Sequence, residues 1–231
     1  MNRPPKCIIV SGAGLSASSG IPTYGTDTGL WSVNDMKTIC VKGKEFDTKS
    51  IEFYNTFRQM EAGIEPSSVH RFLAEVQAQY GTDRIKLYTQ NIDTLLERAG
   101  CLQVTHVHGN ISEFKCVNCQ SILNELTATQ CCDKQKLRRN IVFYGEPGYY
   151  SEMIDELIDL ESMDIFVLIG TSGKAINPDV FVRGNQCHKL YVNMQLESNV
   201  HIQNYDGVLL GKAENCLSSI YDYLQKWMEK K

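Results

Sequence analysis

The sequence lacks the features that mark membrane-spanning and secreted proteins. No apolar run approaches the ~18 consecutive residues that a membrane-spanning helix needs. The opening segment "MNRPPK" leads directly into a strand-like run, without the apolar core and cleavage site of a signal peptide. We therefore expect a cytoplasmic protein without a membrane partner.

The chain also has no excess of positive charge, since 23 Lys and Arg face 27 Asp and Glu and the formal net charge is −4. Such a balance offers no strong field for the phosphates of nucleic acid, and we expect no nucleic-acid partner. The local basic cluster of Lys134, Lys136, Arg138 and Arg139 is interpreted as a solvated surface stretch. The nine cysteines indicate buried thiols, except where their spacing suits a metal.

Short apolar runs alternate with helical patterns along most of the chain. Strands are predicted at "CIIV" (7–10), "IKLYTQ" (85–90), "VTHVHG" (104–109), "NIVFYGE" (140–146), "DIFVLIGTS" (164–172) and "KLYVNM" (189–194). Helices are predicted over 50–63, 67–81, 92–100 and in a long C-terminal segment that starts near 206. This alternation predicts an α/β protein with a doubly wound parallel sheet.

Small and polar loops follow five of these predicted strands: "SGAGLSASSGIP", "TQNID", "HGN", "GTSGKAINP" and "VNMQ". Ligands of such sheets bind where the carboxyl ends of the strands meet. Gly12 and Gly14 would let the backbone approach a pyrophosphate at a helix N-terminus. An ordinary dehydrogenase has an acidic residue about 20 positions further on. Here Asp27 and Asp35 lie in an irregular stretch, which weakens the dehydrogenase interpretation.

The motifs "GAGLSASSGIP", "TQNID", "VHGN", "FYGE", "GTS" and "VN" resemble, in the same order, those of the sirtuins (the Sir2 family). The resemblance runs from Cys7 to Leu224 and is strongest with the compact bacterial members. It implies NAD-dependent removal of acyl groups from lysine, with NAD consumed and nicotinamide and O-acyl-ADP-ribose released. It also implies a Rossmann-type parallel sheet with a small inserted domain, made of a helical module and a zinc-ribbon-like segment.

On this resemblance the chain is one catalytic domain over residues 1–231. Its large Rossmann-like part spans 1–24, 66–110 and 140–231, its helical module spans 25–65, and its zinc-ribbon-like insertion spans 111–139. The catalytic positions implied are His108, as the base that activates a ribose hydroxyl, and Asn91. The cofactor contacts implied are Gly12, Ala13, Gly14, Ser16, Tyr24, Trp31, Gln90, Asn91, Ile92, Asp93, Gly170, Thr171, Ser172, Asn193, Met194, Gln195 and Ala213.

Two of these assignments have a rival in the sequence itself. Asn91 and Asp93 precede a predicted helix, so either could cap that helix instead of contacting NAD, or do both. The chain also departs from the family pattern, because Gly25 stands where sirtuins usually have an arginine. Because the positive charge of that arginine is absent, an alternative function stays open: an NAD glycohydrolase or ADP-ribosyltransferase built on the same domain.

The predicted metal site combines Cys116 and Cys119, a C-x-x-C half-site, with the adjacent pair Cys131 and Cys132. Adjacent cysteines reach one ion only with strain, so two readings stay open: structural zinc, or a degenerate ribbon that folds without metal.

The acyl group of the substrate is assigned to the segment "FYNTFR". Bacterial sirtuins that remove succinyl groups have a Tyr-x-x-Arg pair there, whereas this chain has Tyr54 with Phe57 and carries its arginine one position later, at Arg58. We therefore expect an acyl-lysine protein or peptide as substrate, with acetyl-lysine preferred to succinyl-lysine. Because residues four apart are also neighbours on a helix, we expect Arg58 to support a residual succinyl activity.

Overall fold

The structure, a computed structural model, describes residues 3–23, 38–128, 131–132, 136–173 and 179–229. The cofactor contacts predicted at Tyr24 and Trp31 lie outside the described residues. In chain order the elements are β1 (Cys7–Ser11), α1 (Ala13–Ala17), α2 (Thr48–Ala62), α3 (Ser68–Tyr80), β2 (Ile85–Thr89), α4 (Leu95–Arg98), β3 (Val104–His106), β4 (Gly109–Cys116), β5 (Ile122–Asn124), β6 (Leu137–Ile141), α5 (Ser151–Ile158), β7 (Ile165–Ile169), α6 (Asp179–Val182), β8 (His188–Asn193), β9 (Gly207–Leu210) and α7 (Leu217–Met228).

Six strands form one parallel sheet in the order β3-β2-β1-β7-β8-β9. Chain order reverses between β1 and β7, which places the switch point of the sheet beside the glycine-rich turn after β1. The predicted α/β class with a parallel sheet is confirmed.

The apolar runs become strands because both faces of the sheet are covered. Cys7 and Ile9 of β1 point into a core shared with α3 and α7. Ile8 and Val10 point the other way, into a core shared with α5. The sequence over 67–81 forms the predicted helix, and its start is closed by a capping box between Ser67 and a buried histidine.

A second sheet is antiparallel and has the order β5-β4-β6. The strand predicted over 140–146 forms earlier, as β6, and pairs with β4 and not with the parallel sheet. The four candidate metal ligands lie at this small sheet, since Cys116 ends β4. Among the described residues no helix combines the length and the apolarity needed to cross a bilayer.

Part of the basic cluster is not a solvated surface stretch, and that prediction is wrong for Arg138. Its side chain is buried, and its guanidinium donates to both carboxylate oxygens of Glu146 at 2.8 and 2.9 Å and to the carbonyl of Ile141 at 2.8 Å. Arg139 is half-buried and donates to the carbonyl of Ile111. The charge is retained in the interior because a carboxylate satisfies it.

Candidate active site

The turns after β1 and β7 pack directly against each other at the switch point. The amide of Gly12 donates to the carbonyl of Ile169 at 3.0 Å, and the amide of Gly14 donates to Gly170 at 2.7 Å. A Cβ atom on Gly14 would lie 2.8 Å from the Cα atom of Gly170, and one on Gly12 would lie 2.7 Å from the Cβ atom of Thr171. The contact between the two turns therefore needs glycine in its own right, apart from any demand of a ligand.

Ser16, Asn91 and Asp93 form a buried polar network beside these turns. The amide nitrogen of Asn91 donates to the Ser16 hydroxyl at 2.9 Å and to the carbonyl of Gly12 at 3.0 Å. The Ser16 hydroxyl donates to one carboxylate oxygen of Asp93 at 2.8 Å. Burial raises the pKa of Asp93 to about 6, and the hydrogen bonds from Ser16 and from the Leu95 amide oppose that rise.

The capping alternative for Asp93 holds, because its other oxygen accepts from the amide of Leu95, the first residue of α4, at 3.2 Å. The cap and the network use different oxygens of one carboxylate. A small pocket opens over the network, and its walls are Ala13, Ser16, Ile21, Pro22, Phe57, Asn91, Ile92 and Asp93. Five of these residues are predicted cofactor contacts, and the structure brings them together.

His108 follows β3 at the same edge of the sheet, and both of its ring nitrogens are engaged. Nδ1 lies 2.9 Å from the carbonyl oxygen of Gln90, and Nε2 lies 2.5 Å from the hydroxyl of Tyr150. Burial lowers the pKa of His108, and the bond to Gln90 opposes that effect. Burial also raises the pKa of Tyr150, to about 12, so a neutral imidazole faces a neutral phenol near pH 7.

A second histidine, His106, contacts the backbone of the polar network, although the sequence did not single it out. Nδ1 of His106 lies 2.8 Å from the carbonyl oxygen of Asn91, and its Nε2 lies 2.6 Å from the Glu97 carboxylate. Burial would lower the pKa of His106, but the bond to Glu97 and the charge of that carboxylate raise it overall. Alternation along "THVH" is the one sequence signal that could have placed both histidines on one side of the strand end.

The turns after β7 and β8 meet through Asn193. Its amide nitrogen donates to the carbonyl of Thr171 at 2.9 Å and to the Tyr191 hydroxyl at 2.8 Å. The side chain of Asn193 thus holds these two turns together. Met194, the next residue, is exposed.

Gln195 and Ala213, two further predicted cofactor contacts, lie in the loops that follow β8 and β9. The Tyr191 hydroxyl donates to the carbonyl of Gln195 at 3.3 Å. Ala213 is buried at the start of a 3₁₀ turn over 213–215. The next residue, Glu214, accepts from the Ser18 hydroxyl beyond α1.

Tyr54 and Arg58, the two residues predicted to contact the acyl group, lie in different surroundings. Tyr54 is buried and packs edge-to-face on Phe143, with ring centroids 5.6 Å apart. Arg58 is turned along its own helix, where it pairs with the buried carboxylate of Glu61 at 2.9 Å. Phe57, the residue between them on α2, lines the pocket over the polar network.

The four cysteines of the predicted metal site come together. The Sγ atoms of Cys116, Cys119, Cys131 and Cys132 all lie within 4.8 Å of one another, and those of Cys116 and Cys132 are 3.7 Å apart. Tetrahedral zinc with Zn–S bonds of about 2.3 Å separates its sulfurs by about 3.8 Å. The donor set therefore fits one zinc ion, and the sulfurs of the adjacent Cys131 and Cys132 are both close enough to the other two to share it.

Comparison with known proteins matches this architecture. A family model described as the Sir2 family matches residues 12–178. A protein of Campylobacter jejuni subsp. jejuni serotype O:2 named NAD-dependent protein deacylase is 33% identical over 206 residues, 86% of this chain and 86% of the relative. A protein of Escherichia coli (strain K12) with the same name is 31% identical and covers 97% of this chain and 84% of its own length.

Solved structures agree at the level of the fold. A Sir2 homologue solved in complex with NAD superposes with a TM-score of 0.75 at 22% identity, covering 98% of this chain and 91% of its own.

Proposed function

Because the chain belongs to the Sir2 family, we propose that it is an NAD-dependent protein-lysine deacylase. It removes an acyl group from lysine, consumes NAD, and releases nicotinamide and O-acyl-ADP-ribose. The observation that carries the proposal is the placement of His108, a partly buried neutral imidazole, at the same sheet edge as the Ser16–Asn91–Asp93 network. A base and a set of polar groups for one ligand thus share one site.

His108 is the general base in this proposal. Partial burial lowers the pKa of His108, so its imidazole stays neutral near pH 7 and keeps a lone pair for the proton of a ribose hydroxyl. Asn91 has its amide committed to Ser16 and Gly12, so it orders the floor of the site. The acyl-lysine carbonyl oxygen approaches C1′ of the nicotinamide ribose above that floor.

NAD lies along the carboxyl ends of β1, β2, β7 and β8 in this proposal. The turn of Gly12, Ala13 and Gly14 faces the phosphates, and Gln90, Ile92 and Asp93 face the nicotinamide half. The turn of Gly170, Thr171 and Ser172 faces phosphate and ribose, and the adenosine lies toward Asn193, Met194, Gln195 and Ala213. The shared edge of these turns and the hydrogen bonds between them support this path.

Zinc has a structural role in the proposal, held by the four thiolates of Cys116, Cys119, Cys131 and Cys132. When bound, it crosslinks the loops of the small sheet and takes no part in the reaction. The cytoplasmic location and the absence of nucleic-acid and membrane partners stay predictions.

Nicotinamide release separates this function from its rival, an NAD glycohydrolase or ADP-ribosyltransferase. The purified protein is incubated with NAD alone, with an acetyl-lysine peptide, and with the same peptide unacetylated as the matched control. A deacylase releases nicotinamide with the acetylated peptide only. Release without any acyl peptide would replace the proposal by the rival, and no release under any condition would contradict both.

The acyl preference follows from α2. A succinyl carboxylate needs a cation once it is desolvated, and Arg58 is already paired with Glu61 while Phe57 occupies the pocket wall. We expect kcat/KM to favour an acetyl peptide over the matched succinyl peptide by about ten-fold or more, the loss of one charged hydrogen bond.

Arg58 can meet a succinyl carboxylate only by giving up its pair with Glu61, so the succinyl activity that it supports is residual. Arg58→Ala tests this role, with the exposed Arg71→Ala on α3 as control. The acetyl-to-succinyl ratio should rise in the first variant and stay unchanged in the second. Equal efficiency on both peptides in the wild type would refute the preference.

A further inference from the structure

The hydrogen bonds of His108 define which of its nitrogens is basic. The Gln90 carbonyl oxygen only accepts, so Nδ1 carries the proton and donates to it across 2.9 Å. In a neutral ring Nε2 then holds a lone pair and accepts from the Tyr150 hydroxyl at 2.5 Å. The nitrogen that must take a proton from ribose is thus already occupied by a donor of the protein.

The fold holds that donor in place. The amide of Tyr149 donates to the carbonyl of Val107 at 2.9 Å, directly beside His108, and α5 begins one residue after Tyr150. A Cβ atom on Gly148 would lie 2.2 Å from the Tyr150 ring, so the ring in this orientation packs directly against the backbone of Gly148. The Tyr150 ring meets the imidazole edge-on, with centroids 5.8 Å apart.

One lone pair accepts one strong donor, so Tyr150 and a ribose hydroxyl exclude each other at Nε2. We propose that Tyr150 is a positioning residue: its hydroxyl holds the Nε2 lone pair of His108 in the enzyme without NAD, and the ribose hydroxyl replaces it when NAD binds. This proposal rests on the proposed function. The exchange swaps one O–H···N bond for another and leaves the imidazole tautomer that the base needs unchanged.

The proposal has a consequence for pH dependence. A donor on Nε2 stabilises the neutral imidazole, so it lowers the pKa of His108 in the free enzyme. Two groups bond to the His108 ring: the hydroxyl of Tyr150, which is titratable, and the backbone carbonyl of Gln90, which is not. The nearby carboxylates Asp93 and Glu97 interact with His106, two positions earlier.

Tyr150→Phe removes the hydroxyl and keeps the ring. The pKa of His108 in the free enzyme should rise by about half a unit to one unit, the worth of one net hydrogen bond. The acidic limb of kcat/KM for NAD, which reports the enzyme before NAD binds, should move to higher pH by the same amount. The acidic limb of kcat should not move, because the ribose hydroxyl occupies Nε2 in both proteins once NAD is bound.

The matched control is Tyr149→Phe, since the Tyr149 hydroxyl bonds to Asn140 and Lys115 and not to His108. The pKa is measured by NMR on the C2 proton of His108, assigned by its absence in His108→Asn. A shift in the Tyr150 variant alone supports the proposal. An unshifted or lowered pKa in Tyr150→Phe overturns it, and so does a kcat limb that moves with the kcat/KM limb.

The wild-type protein provides a readout that needs no variant. Its ¹⁵N spectrum should show His108 protonated at Nδ1 and unprotonated at Nε2 before NAD is added, and protonation at Nε2 would overturn the proposal. These measurements on free enzyme do not depend on turnover. A protein that released no nicotinamide would refute the proposed function, whereas an unshifted His108 in an active deacylase would refute the role of Tyr150 alone.

Discussion

At the residue scale, His106 and His108 stand two positions apart and differ in the direction of their pKa shifts. Both are partly buried, which favours the neutral ring. His106 meets the carboxylate of Glu97, which stabilises its cation, whereas His108 meets the neutral hydroxyl of Tyr150. The partner, and not the depth of burial, therefore decides which histidine is suited to act as a base near pH 7.

His108→Ala tests the base. We expect kcat for the acetyl peptide to fall by about 10²–10⁴, the usual contribution of a general base, while the affinity for NAD changes no more than a few-fold. The loss is in the chemical step because the imidazole acts on a hydroxyl of an already bound ligand. Steady-state kinetics and calorimetric titration of NAD measure the two quantities.

The exposed His201→Ala serves as the control and should match the wild type. Wild-type turnover in His108→Ala would show that another group is the base.

At the scale of single elements, the turn after β7 needs glycine for two separate reasons. Gly170 has φ +65°, and its Cβ atom would lie 2.5 Å from the backbone nitrogen of Leu15. Gly81, after α3, has φ +88°, and no atom of the described residues lies within 4 Å of an added Cβ atom. The two positions separate the cost of the backbone conformation from the cost of the clash.

We expect Gly81→Ala to lower the free energy of unfolding by about 1–3 kcal/mol, the cost of a positive φ combined with an extended ψ of 154°. Gly170→Ala should cost clearly more, because the turns after β1 and β7 would have to separate. Chemical denaturation of both variants measures the difference. Equal losses would mean that the close approach of the two turns is not needed for stability.

The small sheet depends on its metal if the four cysteines hold zinc. Metal that binds only the folded protein stabilises it, so chelation should lower the Tm by at least about 4 °C, which corresponds to about 1 kcal/mol or more for a chain of this size. Metal analysis of freshly purified protein should find one zinc per chain.

Cys119→Ser, at an exposed ligand, should lose the zinc, whereas Ser121→Ala beside it should keep the zinc. Less than half an equivalent of zinc in the wild type would contradict the metal site and favour a ribbon that folds without metal.

At the scale of the whole molecule, Glu61 joins α2 to the turn that follows β2 of the parallel sheet. Its fully buried carboxylate accepts from the backbone amide and the hydroxyl of Thr94, at 3.0 and 2.6 Å, and pairs with Arg58 and Arg98. The second of these bonds depends on the Thr94 hydroxyl, so it is lost in any residue without a side-chain donor. The contact links α2 to the start of α4, on either side of the pocket.

Glu61→Gln removes the charge and keeps the shape. We expect the free energy of unfolding to fall by about 1.5–3 kcal/mol, because hydrogen bonds to a buried charged group are lost and two arginines lose their partner. The control is Glu65→Gln, whose 85% exposed side chain pairs with the same Arg98 at 3.6 Å. That pair should be worth less than about 1 kcal/mol. Similar losses in the two variants by chemical denaturation would contradict a special role for burial.

The sequence by itself determined the parallel sheet, the edge at which its polar loops meet and the four cysteines that cluster at the small sheet. The runs at 7–10 and 165–169 are apolar at every position of a strand buried on both faces, so their pattern has few other solutions. The polar loops after such strands must meet at one edge, because parallel strands all end on the same side. The order of the motifs also identified the Sir2 family, and it indicated His108 as the candidate base.

The tertiary structure alone decided what depends on contacts distant in the chain. The helix predicted over 92–100 shortens to Leu95–Arg98, because Asn91 and Asp93 are held by Ser16 and the turn at Gly12. The segment 207–210, predicted as part of the C-terminal helix, is instead β9, since pairing with β8 satisfies its backbone.

The partners of the charged and titratable groups were likewise set by the fold. The neighbours of Arg138 in the sequence predicted a solvated side chain, whereas the fold buries it and pairs it with Glu146. Tyr150 is 42 residues from His108, and no local pattern joins a phenol to an imidazole at that separation. Periodicity reports which face of an element is apolar, whereas the partner that a buried polar atom finds there depends on how the elements pack.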